Sequence, residues 1–163
     1  RWYVLGQFQR PVREGEVPMT REGLPEGYTE CFATYSLDRV KKIYHTDESF
    51  EIDKDFSAAA YFKYCFGVYR VDSIPVQKVL IRAYGLQRYY MRDLPWHHSQ
   101  TEKYWGEEYA DYEFTLRPTS DFIRFFMRYG SLVKVLAPTE LARKVKAQLM
   151  EAVDMYSDLD EEP

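Results

Sequence analysis

The stretch Tyr109-Ala-Asp-Tyr-Glu-Phe-Thr-Leu-Arg117 decides the fold of the larger part of this chain. Apolar and polar side chains alternate along it, and this is the period of a strand with one buried face. The apolar positions are Ala110, Tyr112, Phe114 and Leu116, and the polar positions are Asp111, Glu113 and Thr115. The sequence therefore predicts a strand over 109–117.

Strand and helix signals on both sides of this stretch follow one order, punctuated by glycine and proline. The predicted elements are a strand over 76–84, a helix over 86–93, a strand over 97–104, the strand over 109–117, a helix over 118–129, a strand over 131–136 and a helix over 138–156. The order β-α-β-β-α-β with an additional helix is typical of a ferredoxin-like domain.

The first third of the chain has β-favouring character. Residues 1–9, 29–37 and 40–45 are predicted strands, and the turn-prone pair Arg10-Pro11 opens a loop over 11–28 rich in Gly, Pro and Glu. A helix over 57–66 follows, with Ser57 as its N-cap and Gly67 after its end. The fold class predicted for the whole chain is α+β, a β unit followed by a ferredoxin-like βαββαβ domain with an extra C-terminal helix.

These patterns divide the chain into four segments. A β unit over 1–56 is followed by a linker helix segment over 57–70, a ferredoxin-like domain over 71–157 and an acidic tail over 158–163. The chain opens inside its first strand signal, so we expect residues upstream of Arg1.

Composition restricts the class of protein. The chain has 163 residues, of which 45% are hydrophobic and 17% aromatic, a globular balance. The net charge of −4 comes from acidic residues near the C-terminus, and a nearly neutral body argues against a nonspecific binder of nucleic acid. The two cysteines do not make a disulfide framework, so we expect a reducing cytoplasm. No apolar stretch approaches the length of a membrane span.

Metal and catalytic sites are not predicted. His97 and His98 are adjacent on a predicted strand and so point to opposite faces, and neither cysteine lies at ligand spacing from them or from His45. Neither a nucleophile elbow nor a phosphate-binding glycine loop is present. We therefore expect no cofactor, no metal and no enzymatic activity.

The β unit carries the stronger signal for a site. Trp2 and Tyr3 are consecutive on a strand, so one of them faces outward, and Arg39 follows a strand that carries Tyr35. A guanidinium near exposed tyrosines is chemistry that holds a phosphate or a stacked base. The alternative is that Arg39 pairs with Asp38 or with a glutamate of the loop, and the spacing leaves both open.

Four short motifs, in this order, resemble the WYL domain of bacterial transcriptional regulators and its C-terminal extension, called WCX. They are Trp2-Tyr3-Val4, Tyr35-Ser36-Leu37-Asp38-Arg39-Val40, Leu94-Pro95-Trp96-His97-His98-Ser99-Gln100 and Gly130-Ser131-Leu132-Val133-Lys134-Val135-Leu136-Ala137-Pro138. The resemblance runs through nearly the whole chain.

The resemblance implies a small Sm-like or SH3-like β barrel, here partial because its N-terminal strands are missing, followed by the ferredoxin-like extension. It implies a helix-turn-helix DNA-binding domain upstream, a nucleotide or single-stranded nucleic-acid effector, and a homodimer. The family's tyrosine corresponds to Tyr3 and its arginine to Arg39. Ser36 stands where the family often has a second arginine, and Arg1 and Arg10 are candidates to replace it. The predicted ligand-binding residues are Arg1, Tyr3, Tyr35 and Arg39, with Arg10, His98 and Gln100 as secondary candidates.

Three hypotheses result. The first is a ligand-sensing and dimerisation region of a transcriptional regulator, and the second is a structural dimerisation module without effector. The third is an enzyme with a pocket of perturbed titratable groups near His98. A basic segment over 117–146 is interpreted as a solvated face, or alternatively as a surface for nucleic acid or a partner subunit.

Overall fold

The chain folds as two compact units, Arg1–Phe56 and Ser57–Pro163, with mixed α+β structure. A computed structural model describes residues 2–15, 17–18, 24–47, 49 and 54–157. Within these residues no helix is long and apolar enough to cross a membrane. The division into a linker helix, an extension and an acidic tail stays a prediction.

The first unit is built on a hairpin of two long strands. Strand β1 (Tyr3–Pro11) pairs antiparallel with β2 (Tyr28–Ser36), in a register that places Tyr3 opposite Ser36 and Pro11 opposite Tyr28. The Leu37 amide donates to the Trp2 carbonyl at 3.0 Å, and a 3₁₀ turn over Leu37–Arg39 follows. In the described part of this unit the sheet has two strands and does not close into a barrel.

Two expectations for this unit are wrong. Strand β1 continues through Pro11 instead of turning at Arg10-Pro11, because Pro11 still faces Tyr28 and the Val12 amide then donates to the Gly27 carbonyl at 2.8 Å. Residues 40–45 form no strand. They are all exposed and pair with no strand among the described residues, and β-favouring composition alone does not form a strand without a pairing partner.

The second unit contains one four-stranded sheet with helices packed on one face. Its elements are α1 (Ala58–Phe62), β3 (Gln77–Tyr84), α2 (Gln87–Asp93), β4 (Thr101–Trp105), β5 (Tyr109–Leu116), α3 (Ser120–Met127), β6 (Val133–Ala137) and α4 (Thr139–Asp154). The strand order across the sheet is β4-β5-β3-β6, and every neighbouring pair is antiparallel. From β3 onwards the sequence of elements is the predicted one.

The core lies between this sheet and the helices. Alternate residues of β3 and β5 are almost completely buried, and they meet two phenylalanines of α3 and two aliphatic side chains of α4. The set is Val79, Ile81, Ala83, Ala110, Tyr112, Phe114, Leu116, Phe122, Phe126, Leu141 and Val145. The alternation read from 109–117 is therefore confirmed as the buried face of the sheet.

Helix α1 is shorter than predicted. The Ala60 amide donates to the Ser57 hydroxyl at 3.2 Å, so Ser57 is the N-cap, but the helix ends at Phe62. Tertiary pairing ends it, since the Arg117 amide donates to the Tyr64 carbonyl at 2.9 Å and Cys65 bridges to Arg117. Gly67, at φ +81°, redirects the chain in a conformation that glycine adopts without strain.

One buried hydroxyl links the sheet to α2. Tyr112 is 1% exposed, and its hydroxyl donates to the Arg88 carbonyl at 2.6 Å. A phenol buried among apolar side chains needs such a partner, because an unpaired polar atom in the core costs free energy.

Tyr112→Phe is expected to lower the free energy of unfolding by about 1 to 2 kcal/mol, because the Arg88 carbonyl loses its donor inside the core. Tyr104→Phe on the neighbouring strand is the control. Tyr104 is half exposed, so its change should stay within about 0.5 kcal/mol. Urea unfolding of both variants measures this, and equal losses would contradict the assigned hydrogen bond.

Candidate ligand-binding surfaces

The hairpin places the two predicted site tyrosines on opposite faces. Tyr3 lies opposite Ser36, and Val4 lies opposite Tyr35. Because paired residues of an antiparallel sheet share a face and neighbours along a strand alternate, Tyr3 and Tyr35 point to different sides. A ligand bound on one face of this sheet can therefore contact only the tyrosine on that face.

Tyr35 lies on an open surface near the end of the hairpin. It is 53% exposed, and its ring centroid lies 5.4 Å from that of Phe8 on the same face. The opposite residue, Val4, is also exposed. The ring of Tyr35 is thus supported by Phe8 while part of its surface remains accessible for stacking.

Arg39 is exposed at the end of the 3₁₀ turn that follows Ser36. The Ser36 hydroxyl donates to a carboxylate oxygen of Asp38. The described residues provide no ion pair to Arg39, so a pair with Asp38 is not formed. Tyr35 and Arg39 therefore lie at the same end of the hairpin with an accessible guanidinium.

The remaining predicted cations of this unit are placed differently. Arg1 lies outside the described residues. Arg10 lies opposite Thr29, six positions along β1 from Val4, which is about 20 Å at the rise of a strand. The Arg10 guanidinium donates to the Pro11 carbonyl at 3.0 Å. Arg10 and Tyr35 are thus at opposite ends of the sheet.

In the second unit, the segment between α2 and β4 is a turn and not the first half of a strand. The Ser99 hydroxyl and amide lie 2.7 and 3.2 Å from Nδ1 of His97, and the Thr115 amide donates to the Ser99 hydroxyl at 2.9 Å. The strand predicted over 97–104 therefore begins only at Thr101. Side-chain hydrogen bonds to backbone groups compete here with the sheet ladder.

Gln100, a secondary candidate for ligand binding, uses its side chain within this turn. Its amide nitrogen donates to the Met91 carbonyl, and its amide oxygen accepts from the Trp96 amide at 2.9 Å. Gln100 thus joins the end of α2 to the start of β4.

His97 is 9% exposed, and burial lowers its pKa from 6.5 to about 4, with a smaller contribution from neighbouring His98. The Ser99 amide donates to Nδ1, while the Ser99 hydroxyl lies beside the same nitrogen and also donates to the Thr115 carbonyl at 3.1 Å. The donation from the amide fits a neutral ring that accepts at Nδ1 and carries its proton on Nε2. Among the described residues Nε2 has no partner in hydrogen-bonding geometry. The backbone of nearby Cys65 raises the pKa of His97, but by less than burial lowers it. The ring is held as a neutral core group.

His98 is exposed, and its ring centroid lies 4.0 Å from that of His97. The expectation that these rings point to opposite faces is wrong, because the segment is a turn in which alternation does not apply. Across the described part of the chain, no three His, Cys, Asp or Glu side chains are grouped so that they could hold a metal ion.

Sequence reasoning missed an arginine and tyrosine cluster on the sheet face away from the helices. The Arg82 guanidinium donates to both carboxylate oxygens of Asp111 at 2.8 and 2.9 Å and lies 3.7 Å from the Tyr109 ring centroid. Hydrogen bonding to Asp111 raises the pKa of Arg82. The sequence contained a signal for this cluster. In the alternating stretch 109–117, Tyr109 and Asp111 are two residues apart and therefore lie on the same face, opposite the apolar one.

The basic segment over 117–146 is partly neutralised. Arg117, Arg124 and Lys144 each lie within 4.0 Å of a carboxylate, those of Asp72, Asp121 and Glu140. Arg143 is close enough to Glu140 to help lower the pKa of that carboxyl, after the larger effect of Lys144. The interpretation as a solvated face therefore applies to only part of this segment.

We expect His97→Asn to flatten the pH dependence of stability on the acid side. The folded-state pKa of about 4 lies below the ordinary 6.5, so the unfolded chain binds the extra proton first as the pH falls. The stability that neutral His97 contributes is present above 6.5 and is lost as the pH falls towards 4. Between about pH 8 and about pH 5 this amounts to about 2 kcal/mol.

Urea unfolding of the wild type, His97→Asn and His98→Asn at these two pH values measures the effect. Asparagine keeps an acceptor near the position of Nδ1 but does not take up the proton. His98→Asn should lose nearly as much stability as the wild type when the pH falls, because His98 is exposed. Identical slopes for the wild type and His97→Asn would contradict the role assigned to His97.

Comparison with known proteins gives a family match within the second unit. Residues 75–153 match the family model of the WCX domain, a span that contains the whole four-stranded sheet and nearly all of α4. Comparison with curated proteins gives no match. The family match supports a WYL/WCX-type regulator region and suggests a regulatory C-terminal domain.

Proposed function

We propose that this chain is the ligand-sensing and dimerisation region of a bacterial transcriptional regulator. In this proposal it binds a nucleotide or a single-stranded nucleic-acid effector and thereby modulates a helix-turn-helix domain. The observation that carries the proposal is the WCX match over 75–153 in a chain whose two WYL-like segments are paired neighbours. Those segments lie about thirty residues apart, and the register of β1 on β2 brings Trp2 beside Leu37 and Tyr3 opposite Ser36.

The folds proposed for the two units follow from the same observations. A partial Sm-like or SH3-like barrel is proposed for the first unit on the basis of its long antiparallel hairpin. A ferredoxin-like fold is proposed for the second, since its β-α-β-β-α-β order and the strand order β4-β5-β3-β6 place the first and third strands in the centre. The free thiols of Cys31 and Cys65 support a reducing, cytoplasmic location.

The hairpin end supplies the chemistry that the effector needs. An exposed aromatic ring stacks on a nucleobase, and a guanidinium holds a phosphate through paired charge-assisted hydrogen bonds. Tyr35 and Arg39 have this character and lie at the same end. Tyr3 faces the other side, which makes Tyr35 and Arg39 the primary pair.

Regulation would follow from a difference in effector affinity between two arrangements of a dimer. An effector that binds one arrangement more tightly shifts the population towards it, and the DNA-binding domain responds to that shift. The size of the response is limited by the ratio of the two affinities.

Arg39→Ala is expected to weaken binding of a short single-stranded oligonucleotide by about tenfold or more, because one charge-assisted hydrogen-bonding group is lost. Tyr35→Ala should weaken it by a similar factor through loss of stacking. Fluorescence anisotropy with short DNA, short RNA and cyclic dinucleotides, each at two salt concentrations, measures the affinities.

The matched controls are Arg128→Ala in the second unit and Tyr28→Ala at the opposite end of β2. Both residues are exposed, and neither should change the affinity. Equal affinity of the wild type, Arg39→Ala and Tyr35→Ala would overturn the assignment of the site to this end of the hairpin.

A second candidate function, a structural dimerisation module, is favoured by one observation. Trp2, Val4, Tyr35 and Leu37 are all exposed and lie at the same end of the hairpin, where Val4 pairs with Tyr35 and the Leu37 amide donates to the Trp2 carbonyl. Trp2 is 83% exposed. A contiguous apolar patch of this kind is typical of a surface that contacts another protein.

Under this second function, Leu37→Asp should shift the monomer–dimer equilibrium towards the monomer by at least about tenfold, because a carboxylate is buried against apolar groups. Val17→Asp, in an exposed loop position, is the control. Sedimentation velocity measures the equilibrium. A dimer that Leu37→Asp leaves intact would exclude this patch as the interface.

A further inference from the structure

Helix α4 has an apolar side that continues beyond the part of the helix packed on its own domain. Leu141 and Val145 are buried in the core, and Leu149 is partly buried at its edge. The next apolar positions, Met150 and Val153, are exposed, Val153 at 70%. The C-terminal turns of α4 therefore carry large apolar side chains whose surface is open.

An apolar groove lies beside the preceding turns of the same helix. It is bounded by α4, strand β6 and the end of α3, and its volume is about 340 Å³. Ala142 and Leu149 are among the residues that α4 contributes to its lining. Because β6 is an outer strand of the sheet, the groove is at the border of the domain, where another protein surface can approach.

Four residues of α4, here called the α4 seam, run along this border. They are Ala142, Lys146, Leu149 and Val153, which follow one another at spacings of four, three and four. The first three line the groove, and Val153 continues their line one turn further. This is the spacing with which two helices pack side by side. A lysine in such a seam covers apolar surface with its stem and keeps its ammonium group in water.

The charges of α4 indicate what packs on the seam. The last turn contains Glu151 and Asp154 and no cation, although the C-terminal end of a helix dipole favours cations. The N-terminal half carries three cations and one carboxylate, Glu140, which forms an ion pair with Lys144 at 2.8 Å. The two halves are therefore oppositely charged, and the acidic end is unfavourable for α4 by itself. A second α4 in the opposite direction supplies the cations that this end lacks.

We infer that two copies of this chain pair through their α4 seams in antiparallel orientation. Two-fold symmetry then brings the acidic end of each helix beside the basic half of the other, and the two helix dipoles are opposed. Val153 of one copy lies over the groove of the other, so apolar surface on both copies is removed from water. A parallel pair would bring like charges together along the whole seam.

This inference rests on the dimerisation proposed above and assigns it to α4 instead of the apolar patch at the hairpin end. Sedimentation equilibrium of the full chain measures the dissociation constant of the dimer. Val153→Asp should raise that constant at least about tenfold, because a carboxylate is buried against apolar groups.

Met155→Asp is the matched control for this variant. It introduces the same charge two residues further along, at another exposed position on the opposite side of the helix. It should leave the dissociation constant unchanged, and so should Leu37→Asp in the hairpin. Circular dichroism checks that each variant folds.

An exchange of charges tests the antiparallel orientation. Arg143 and Asp154 are eleven residues apart, which is three turns, so they are on the same side of α4 but about 16 Å from each other. Arg143→Glu and Asp154→Lys each place like charges together twice in a two-fold dimer. Each should weaken the dimer at least about fivefold at low salt.

Mixing these two variants should restore the affinity of the wild type, since both contacts of the mixed dimer again join opposite charges. The distance between the two positions within one chain means that such a restoration reports contact between copies. Single variants that dimerise like the wild type, or a mixed dimer tighter than the wild type, would overturn the antiparallel arrangement.

The remaining outcomes separate this inference from the proposed function. A wild type that stays monomeric would contradict the dimerisation itself. A dimer weakened by Leu37→Asp and not by Val153→Asp would leave the dimerisation standing and overturn its assignment to α4. Equal losses in Val153→Asp and Met155→Asp would show an effect of charge alone. A dimer that forms only after removal of residues 158–163 would identify the chain's own C-terminal segment as the cover of the seam.

Discussion

The pairing of β3 with β5 over eight residues is the constraint on which the second unit depends. It aligns Val79, Ile81 and Ala83 with Phe114, Tyr112 and Ala110, so that one continuous apolar face forms in the centre of the sheet. Helices α2, α3 and α4 have their apolar sides against this face, because that packing removes the apolar area of both from water. The same register sets Arg82 opposite Asp111 on the other face, where a bidentate ion pair forms.

Polar side chains form hydrogen bonds with the backbone near the ends of the strands and helices of this unit. The Tyr112 hydroxyl and the Gln100 amide donate to the backbone carbonyls of Arg88 and Met91, and the Ser99 hydroxyl accepts from the Thr115 amide. His97 is buried beside them as a neutral ring with a lowered pKa. The Leu94–Gln100 motif thus acts as a structural joint between α2 and β4, although its histidines and serine have the residue types of a catalytic site.

The surfaces that remain accessible have different chemical character. The hairpin end combines Tyr35, Arg39 and exposed apolar side chains, which suits a stacked base with a phosphate or a protein partner. The groove beside α4 is lined mainly by apolar side chains of α3, β6 and α4. The WCX match over 75–153 is consistent with a regulatory role for the unit that contains the groove.

The sequence by itself determined the order of elements from β3 onwards and the buried face of β5, because alternation and helical spacing are local properties of the chain. The sequence also shows the two motifs of the hairpin. Alternation along each strand divides their residues between two faces, but which residues share a face follows only from the register. Only the tertiary structure decided that register, the absence of a strand over 40–45, the early end of α1 and the turn at His97. Each of these depends on a hydrogen-bond partner distant in the chain, or on the lack of one. The groove beside α4 is likewise tertiary, since its apolar walls come from three elements that only packing brings together.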